Sequence, residues 1–469
     1  MPNIFLENDQ NRCTETIWDK ITPEEKRHIF ALGEDYRAFL STTKTERQCV
    51  QYLVSLAERA GFVDLAEKGE LKPGDRVYHI HRQKALFLAV IGQQPPAAGL
   101  QLIGAHIDAP RLDLKPQPLY EDHMLALAKT HYYGGIKKYQ WVAIPLALHG
   151  TVVKEDGSVL ELSIGEQPGE PVFTISDLLP HLAKDQMEKK MAEGIGGEDL
   201  NALLGSLPSE NMEVKKRFKE YVKEVLREKY DLSEEDLISA ELCLVPAWPA
   251  RDVGLDRGLV GGYGQDDRVC AYTATRALLE QETPPRTAVL VLADKEETGS
   301  EGNTGMFSVL LENFVLRLLA ASDTRPDLGA VRQCLSASCA LSADVNAALD
   351  PNYEQVLDKL NAARLGGGVV LTKYTGVRGK SGTSDASAGY LAALRRLFNR
   401  HGIYWQTGEL GKVDQGGGGT IAYLLAYYDL EVVDCGVPLL SMHSPFEVAS
   451  KLDIYMAYKA YRAFWAEEI

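Results

Sequence analysis

Ala288 to Ala293 is an unbroken apolar run, Ala-Val-Leu-Val-Leu-Ala, that gives way to Asp294-Lys295, then to the adjacent acids Glu296 and Glu297, then to a glycine-rich turn from Thr298 to Gly302. So short a run with no polar face predicts a parallel strand covered on both sides, and open α/β sheets bind ligands at the carboxyl ends of such strands. The pattern recurs. Leu100 to Ala105 leads into His106-Ile107-Asp108, Leu335 to Leu341 ends in Ser342-Ala343-Asp344, and Leu430 to Leu440, interrupted by Asp434 and Gly436, ends in Ser441-Met442-His443-Ser444. Asp266 stands instead at the head of a helix-like stretch from Asp267 to Leu279, where the positive end of the helix dipole favours a carboxylate.

The remaining pattern places other elements around these strands. Thr22-Pro23-Glu24-Glu25 and Thr43-Lys44-Thr45-Glu46 both read as capping boxes, so two helices are expected, the second stopping before Gly61. Val77 to His81 and Ala85 to Gly92 alternate as strands do. After Leu112 the character changes: Trp141 to His149 and Thr151 to Leu162 read as strands, with a hairpin turn at Glu155-Asp156-Gly157. Glu188 to Asp199 and Glu213 to Tyr230 are charge-dense, the latter with Phe218, Tyr221, Val222, Val225, Leu226 and Tyr230 as an apolar helical stripe. From Val245 the strand-end acids resume. Residues 112–245 therefore read as a domain inserted into one built from both chain ends, 1–111 and 246–469.

Residues i and i+2 of an extended chain share a face, so His106 and Asp108 can support each other. A His, an Asp, a Glu-Glu pair, a further Asp and a His at strand ends make a donor set suited to two zinc ions, which sit about 3.5–4 Å apart when they share a carboxylate. In this reading His106 and Asp344 hold one ion, Glu297 and His443 the other, and Asp266 bridges. Glu296 remains as general base, and Asp108 orients the His106 ring. Taken singly, His-x-Asp is commonly a structural pair, Glu-Glu a solvated helix face, and Asp266 or Asp344 an N-cap. Six such residues at the ends of elements in one chain argue for a shared site.

Composition narrows the partners. With 66 acids against 50 bases the formal net charge is −16, which disfavours nucleic acid and anionic membranes. No apolar run approaches the roughly 18 residues of a membrane span, and no basic-then-apolar leader opens Met1 to Cys13, so a cytoplasmic protein is expected. The seven cysteines, Cys13, Cys49, Cys243, Cys270, Cys334, Cys339 and Cys435, read as reduced core residues. Gly376 to Ser381 resembles the end of a phosphate loop, but Tyr374 stands where its leading glycine belongs. Gly416 to Gly419 reads as a loop that permits close backbone approach or as a simple flexible turn.

The segments Gly104 to Leu112, Tyr263 to Arg268, Glu296 to Glu301, Ser342 to Asp344, Pro351 to Tyr353 and Leu440 to Ser444, in this order, resemble the aspartyl-aminopeptidase (M18) family of zinc metallopeptidases. The resemblance spans nearly the whole chain. It implies an α/β catalytic domain with a central mixed sheet flanked by helices, an inserted β-rich domain serving as dimerisation element or lid, and cleavage of N-terminal residues from peptides with a free amino terminus. It also implies two zinc ions per subunit, with cobalt or manganese as substitutes, and a homo-oligomer built from dimers up to a dodecamer. The family uses a histidine matching His181 to reach a neighbouring subunit's site. Its acid-preferring members use a lysine at the end of the strand matching Val369-Val370-Leu371, where this chain has Thr372 followed by Lys373, so acidic or neutral N-terminal residues both remain open. A metal-dependent amidohydrolase on small N-acyl compounds and a non-catalytic metal-binding scaffold are the alternative readings.

Overall fold

The computed structural model describes residues 15–322 and 326–469. Cys13 and the start of the chain, on which the expectation of no leader rests, lie outside the described residues. The chain divides into two compact units, one built from residues up to Asp108, Ala250–Met442 and Glu447–Ile469, the other from Ala109–Pro249 and His443–Phe446.

The first unit is built on a nine-stranded sheet in the order Val63–Asp64, Arg76–His81, Ala85–Val90, Thr287–Ala293, Leu100–His106, Cys339–Ser342, Glu431–Gly436, Val369–Thr372, Trp405–Thr407. The four strands from Thr287–Ala293 to Glu431–Gly436 run parallel, and antiparallel neighbours flank them. The uninterrupted apolar runs follow from cover on both faces: Ala288, Leu290 and Leu292 enter one core, while Val289, Val291 and Ala293 enter the other. The first core is shared with helices Pro23–Thr42, Glu46–Arg59, Gln265–Leu279, Ala388–Arg400 and Lys451–Ala466, the second with Leu310–Ala320, Leu328–Ser336 and Ala422–Tyr427. A small five-stranded sheet completes the unit.

Most local signals held, with shifts. Thr22 caps the first helix through the Glu25 amide, but the second helix is capped by Thr45 in a box with Gln48 rather than by Thr43 with Glu46. The run expected as a strand from Leu335 is split, since Leu335 and Ser336 finish a helix and the strand starts at Cys339. Gly61, at φ 85°, follows the second helix as expected. Gly376 to Ser381 forms a turn bridged between Val377 and Ser381, and the next helix waits until Ala388, so no phosphate loop exists there.

The second unit is a six-stranded antiparallel sheet in the order Val159–Ile164, Leu146–Val153, Glu241–Pro246, Arg111–Asp122, Leu125–Tyr133, Asn201–Gly205. Trp141 to Pro145, expected as strand, precedes it as turns. Helix Arg217–Tyr230 turns Tyr221, Val222, Val225, Leu226 and Tyr230 toward the sheet across an apolar cavity of about 390 Å³. The six described cysteines are buried.

One charged cluster fastens the first unit's last helix. Lys451 is fully buried, with Nζ 2.9 Å from Glu34 Oε1 and 2.8 Å from Asp252 Oδ1. Hydrogen bonds from Lys451 and Arg37 hold the Glu34 carboxyl below its usual value. Burial pushes that of Asp252 up, but Lys451 and Arg257 outweigh it and bring it down. Carboxylates held low stabilise the fold above the unfolded value of about 4, and that contribution disappears as the pH falls through their depressed folded values. Lys451→Met should therefore cost about 3 kcal/mol near neutral pH. In denaturant titrations the gap from the unmutated protein should narrow on acidification below about pH 4; a gap independent of pH contradicts this account.

Candidate metal centre

The parallel strands set the site through their register. Ala293 lies opposite His106, and Ser342 lies opposite Gly104, which brings Asp344, two residues on, level with His106. The ladder continues past the strand ends: the Ile107 amide donates to Ala293 at 2.9 Å and the Ala343 amide to Gly104 at 2.7 Å. After Ala293 the chain passes through Lys295, left-handed at φ 71°, into the short turn Glu296–Thr298. Asp108 closes that turn, accepting from the amides of Glu296 and Glu297 at 3.2 Å each. Asp108 thus fixes the two glutamates as well as facing His106, whose Nδ1 is 3.3 Å from its Oδ1.

Asp266 and Asp267 precede the regular part of the helix Gln265–Leu279, since neither has helical backbone angles. Glu447, itself buried, accepts from the amides of Gln265 at 2.6 Å and Asp266 at 3.2 Å, and Tyr36 donates to the Gln265 side chain at 3.3 Å. These bonds hold the doublet against the site. His106 Nε2 is 3.1 Å from Asp266 Oδ1 and 3.9 Å from Glu296 Oε2.

Two groups of side chains offer ligand atoms that all lie within 4.8 Å of one another: His106, Asp266 and Glu297, and His106, Asp267 and Asp344. Four of the five residues proposed as ligands from the sequence, His106, Asp266, Glu297 and Asp344, are in these groups. Asp267 was not anticipated. Its Oδ2 accepts from the His106 amide at 3.4 Å, while its Oδ1 is buried with no hydrogen-bond partner. Glu296 belongs to neither group. His443 belongs to neither as well; it lies in the second unit, left-handed at φ 63°, with Nδ1 2.8 Å from the Gly135 carbonyl. His181, also in the second unit, is exposed on the turn Pro180–Leu182.

The electrostatics of this set call for a cation. Burial pushes the carboxyls of Asp267 and Asp344 well up, and each carboxyl is raised further by other acids of the set. Burial opposes charge on His106, yet Asp108, Asp266 and Glu296 outweigh it and raise the imidazole well above its usual value. Beneath them, burial, Glu46 and Asp108 lift Asp294 to about 6 against the bond from Thr304. Carboxylates crowded out of water in this way ionise together more readily beside a multivalent cation. Clustered carboxylates, an imidazole and the orphaned Asp267 Oδ1 fit zinc in chemistry.

The chain matches the profile of the aminopeptidase I zinc metalloprotease (M18) family over residues 39–465. It is 51% identical over 99% of both chains to a probable M18 family aminopeptidase 1 of Clostridium acetobutylicum. Its structure superposes on the crystal structure of an M18 aminopeptidase from Thermotoga maritima with a TM-score of 0.93, at 44% identity over 97% of this chain and 99% of that one. A dodecameric aminopeptidase of S. cerevisiae shares the fold with a TM-score of 0.73, at 22% identity over 92% of this chain and 96% of that one. The strand-end acids and these likenesses lead to one identity: the chain belongs to the M18 family of zinc metallopeptidases and is an aminopeptidase.

Proposed function

We propose that the protein removes N-terminal residues from peptides at a two-zinc centre held by His106, Asp266, Glu297, Asp344 and His443, with Glu296 as general base. The convergence of His106, Asp266, Glu297 and Asp344 at one end of the parallel strands carries this reading. Two ions held there would supply polarisation of the scissile carbonyl and would lower the pKa of a water toward ~7. Glu296 would accept the proton of the attacking water on its carboxylate and return it to the leaving amine. Asp108 keeps the base in place through the two backbone bonds of the turn and orients the His106 ring through Nδ1. Elemental analysis together with rates on a panel of aminoacyl substrates tests the proposal. Two zinc ions per chain and metal-dependent release of the first residue are expected; one ion or none, at full activity, refutes it.

Neutral N-terminal residues fit this chain better than acidic ones. Thr372 ends its strand with an uncharged hydroxyl that accepts from Asn346 Nδ2 at 2.9 Å, and the Lys373 ammonium is engaged 2.7 Å from Asp385. Leucyl or alanyl substrates should exceed aspartyl ones in kcat/KM, and Lys373→Ala should leave that order unchanged. A strong aspartyl preference abolished by Lys373→Ala would assign the lysine to the substrate instead.

Assembly through the second unit, with His181 serving a neighbouring subunit, follows from the resemblance and from the exposure of His181 on that unit. A dodecamer, the assembly of the S. cerevisiae neighbour, built here from dimers as the resemblance implies, is the expected assembly. His181→Ala should keep zinc and the oligomer yet lower turnover. Reassembling it with Glu296→Gln should partly restore activity, since some interfaces then pair an intact base with an intact histidine; no recovery on mixing places both residues in one subunit's site. The six buried cysteines among the described residues suit a reducing cytoplasm.

A further inference from the structure

Arg268 follows the Asp266-Asp267 doublet and is fully buried. Its Nε donates to the Ile107 carbonyl at 3.2 Å and its Nη2 to the Lys44 carbonyl at 3.0 Å. Ile107 lies between His106 and Asp108, and its amide is already bound to Ala293 of the strand that leads to Glu296 and Glu297. One residue of backbone therefore carries both sides of the site: its N–H is held by the glutamate-bearing strand, its C=O by the arginine beside Asp267. The guanidinium also lies 5.4 Å from the ring centroid of Tyr263, and the buried Lys44 ammonium lies 5.9 Å from the same ring.

Burying a guanidinium costs several kcal/mol unless close partners offset it, so its placement requires an explanation. The two carbonyls and the Tyr263 ring supply part of one. Asp108, Asp266, Asp267, Asp294 and Glu46 are all buried in the same unit. A guanidinium stays charged at every accessible pH and its planar fork reaches two carbonyls at once, which an ammonium on a flexible stem does not reproduce.

We propose that Arg268 is a positioning residue for the zinc aminopeptidase reaction: it fixes the His106-Ile107-Asp108 backbone against the Asp266-Asp267 doublet and keeps the acidic site assembled before metal enters. This rests on the two-zinc reading for its consequence in catalysis, but not for its consequence in the metal-free protein. Outer residues that orient metal ligands typically account for about 10–100-fold in metal affinity or activity.

The test compares Arg268→Lys with Lys451→Met, which removes an equally buried cation from the Glu34–Asp252 cluster. Zinc affinity is read by competition with a chromophoric chelator, backbone order by hydrogen exchange of the metal-free protein over residues 104–112, and turnover as kcat and KM separately. Arg268→Lys should weaken zinc binding about 10-fold or more, speed exchange at the Ile107 amide, and lower kcat with KM little changed. Lys451→Met should reduce stability while leaving zinc affinity and the exchange of 104–112 as they were. Unmutated zinc affinity and exchange in Arg268→Lys overturn the proposal, and so does an equal loss of both in Lys451→Met, which would trace the effect to general loosening. Should zinc prove not to be the metal of this site, the exchange measurement still decides whether Arg268 orders the segment.

Discussion

Glu296→Gln is expected to slow peptide hydrolysis by about 10²–10⁴-fold, the usual contribution of a general base, while zinc content stays unchanged. The amide is nearly the same shape as the carboxylate but does not take up a proton at neutral pH. The backbone amide of Glu296 still donates to Asp108 in the variant, so the turn that carries the neighbouring ligand keeps its form. The two glutamates differ in what they face: Glu297 joins His106 and Asp266 in one donor group, whereas Glu296 belongs to neither group and has its Oε2 3.9 Å from His106 Nε2. Glu297→Gln removes a charged donor and is expected to lose metal together with activity. Elemental analysis after gel filtration separates the two failures. Zinc lost from Glu296→Gln and kept in Glu297→Gln would exchange the roles of the pair.

The pair could be found from the sequence because the strand before it is buried on both faces. A strand with one wet face alternates, and its carboxyl end is then harder to locate; Thr287–Ala293 feeds two cores in turn and so reads as a single apolar word. His106 and Asp344 were legible for the same reason, and the parallel register then brings them level. The doublet Asp266-Asp267 was legible only in part. The chain there has left the preceding turn and not yet entered regular helix, so helical periodicity says nothing about which carboxylate turns inward, and both do. Capping signals blur in a related way: Thr43 and Thr45 are two residues apart, each with a hydrogen-bonding side chain three residues on, and the choice fell to Thr45 with Gln48. Arg268 and Lys451 were invisible as buried cations, because burial of a charge depends on partners distant in sequence, such as Ile107 for the one and Glu34 for the other.

A substrate whose amino terminus is acetylated should be cleaved at least ~10²-fold more slowly than its free counterpart, the penalty expected when a reacting group loses an orienting contact. The reason lies in the surplus of negative charge. His106 faces Asp108, Asp266, Asp267, Glu296, Glu297 and Asp344, six carboxylates against the four positive charges of two divalent ions and the one of buried Arg268, and a metal-bound imidazole is neutral. A free α-amine brings the missing positive charge, or a lone pair for a metal, beside the bond to be cut. Acetylation removes both and adds bulk at the same place, and an internal peptide bond lacks the amine altogether, so endopeptidase activity should be absent too. The measurement compares one peptide in free and acetylated form, at matched concentrations below KM, with the released residue quantified. Comparable rates would show that the acidic surplus plays no part in substrate recognition, and would favour an amidohydrolase acting on N-acyl compounds at the same metal ligands.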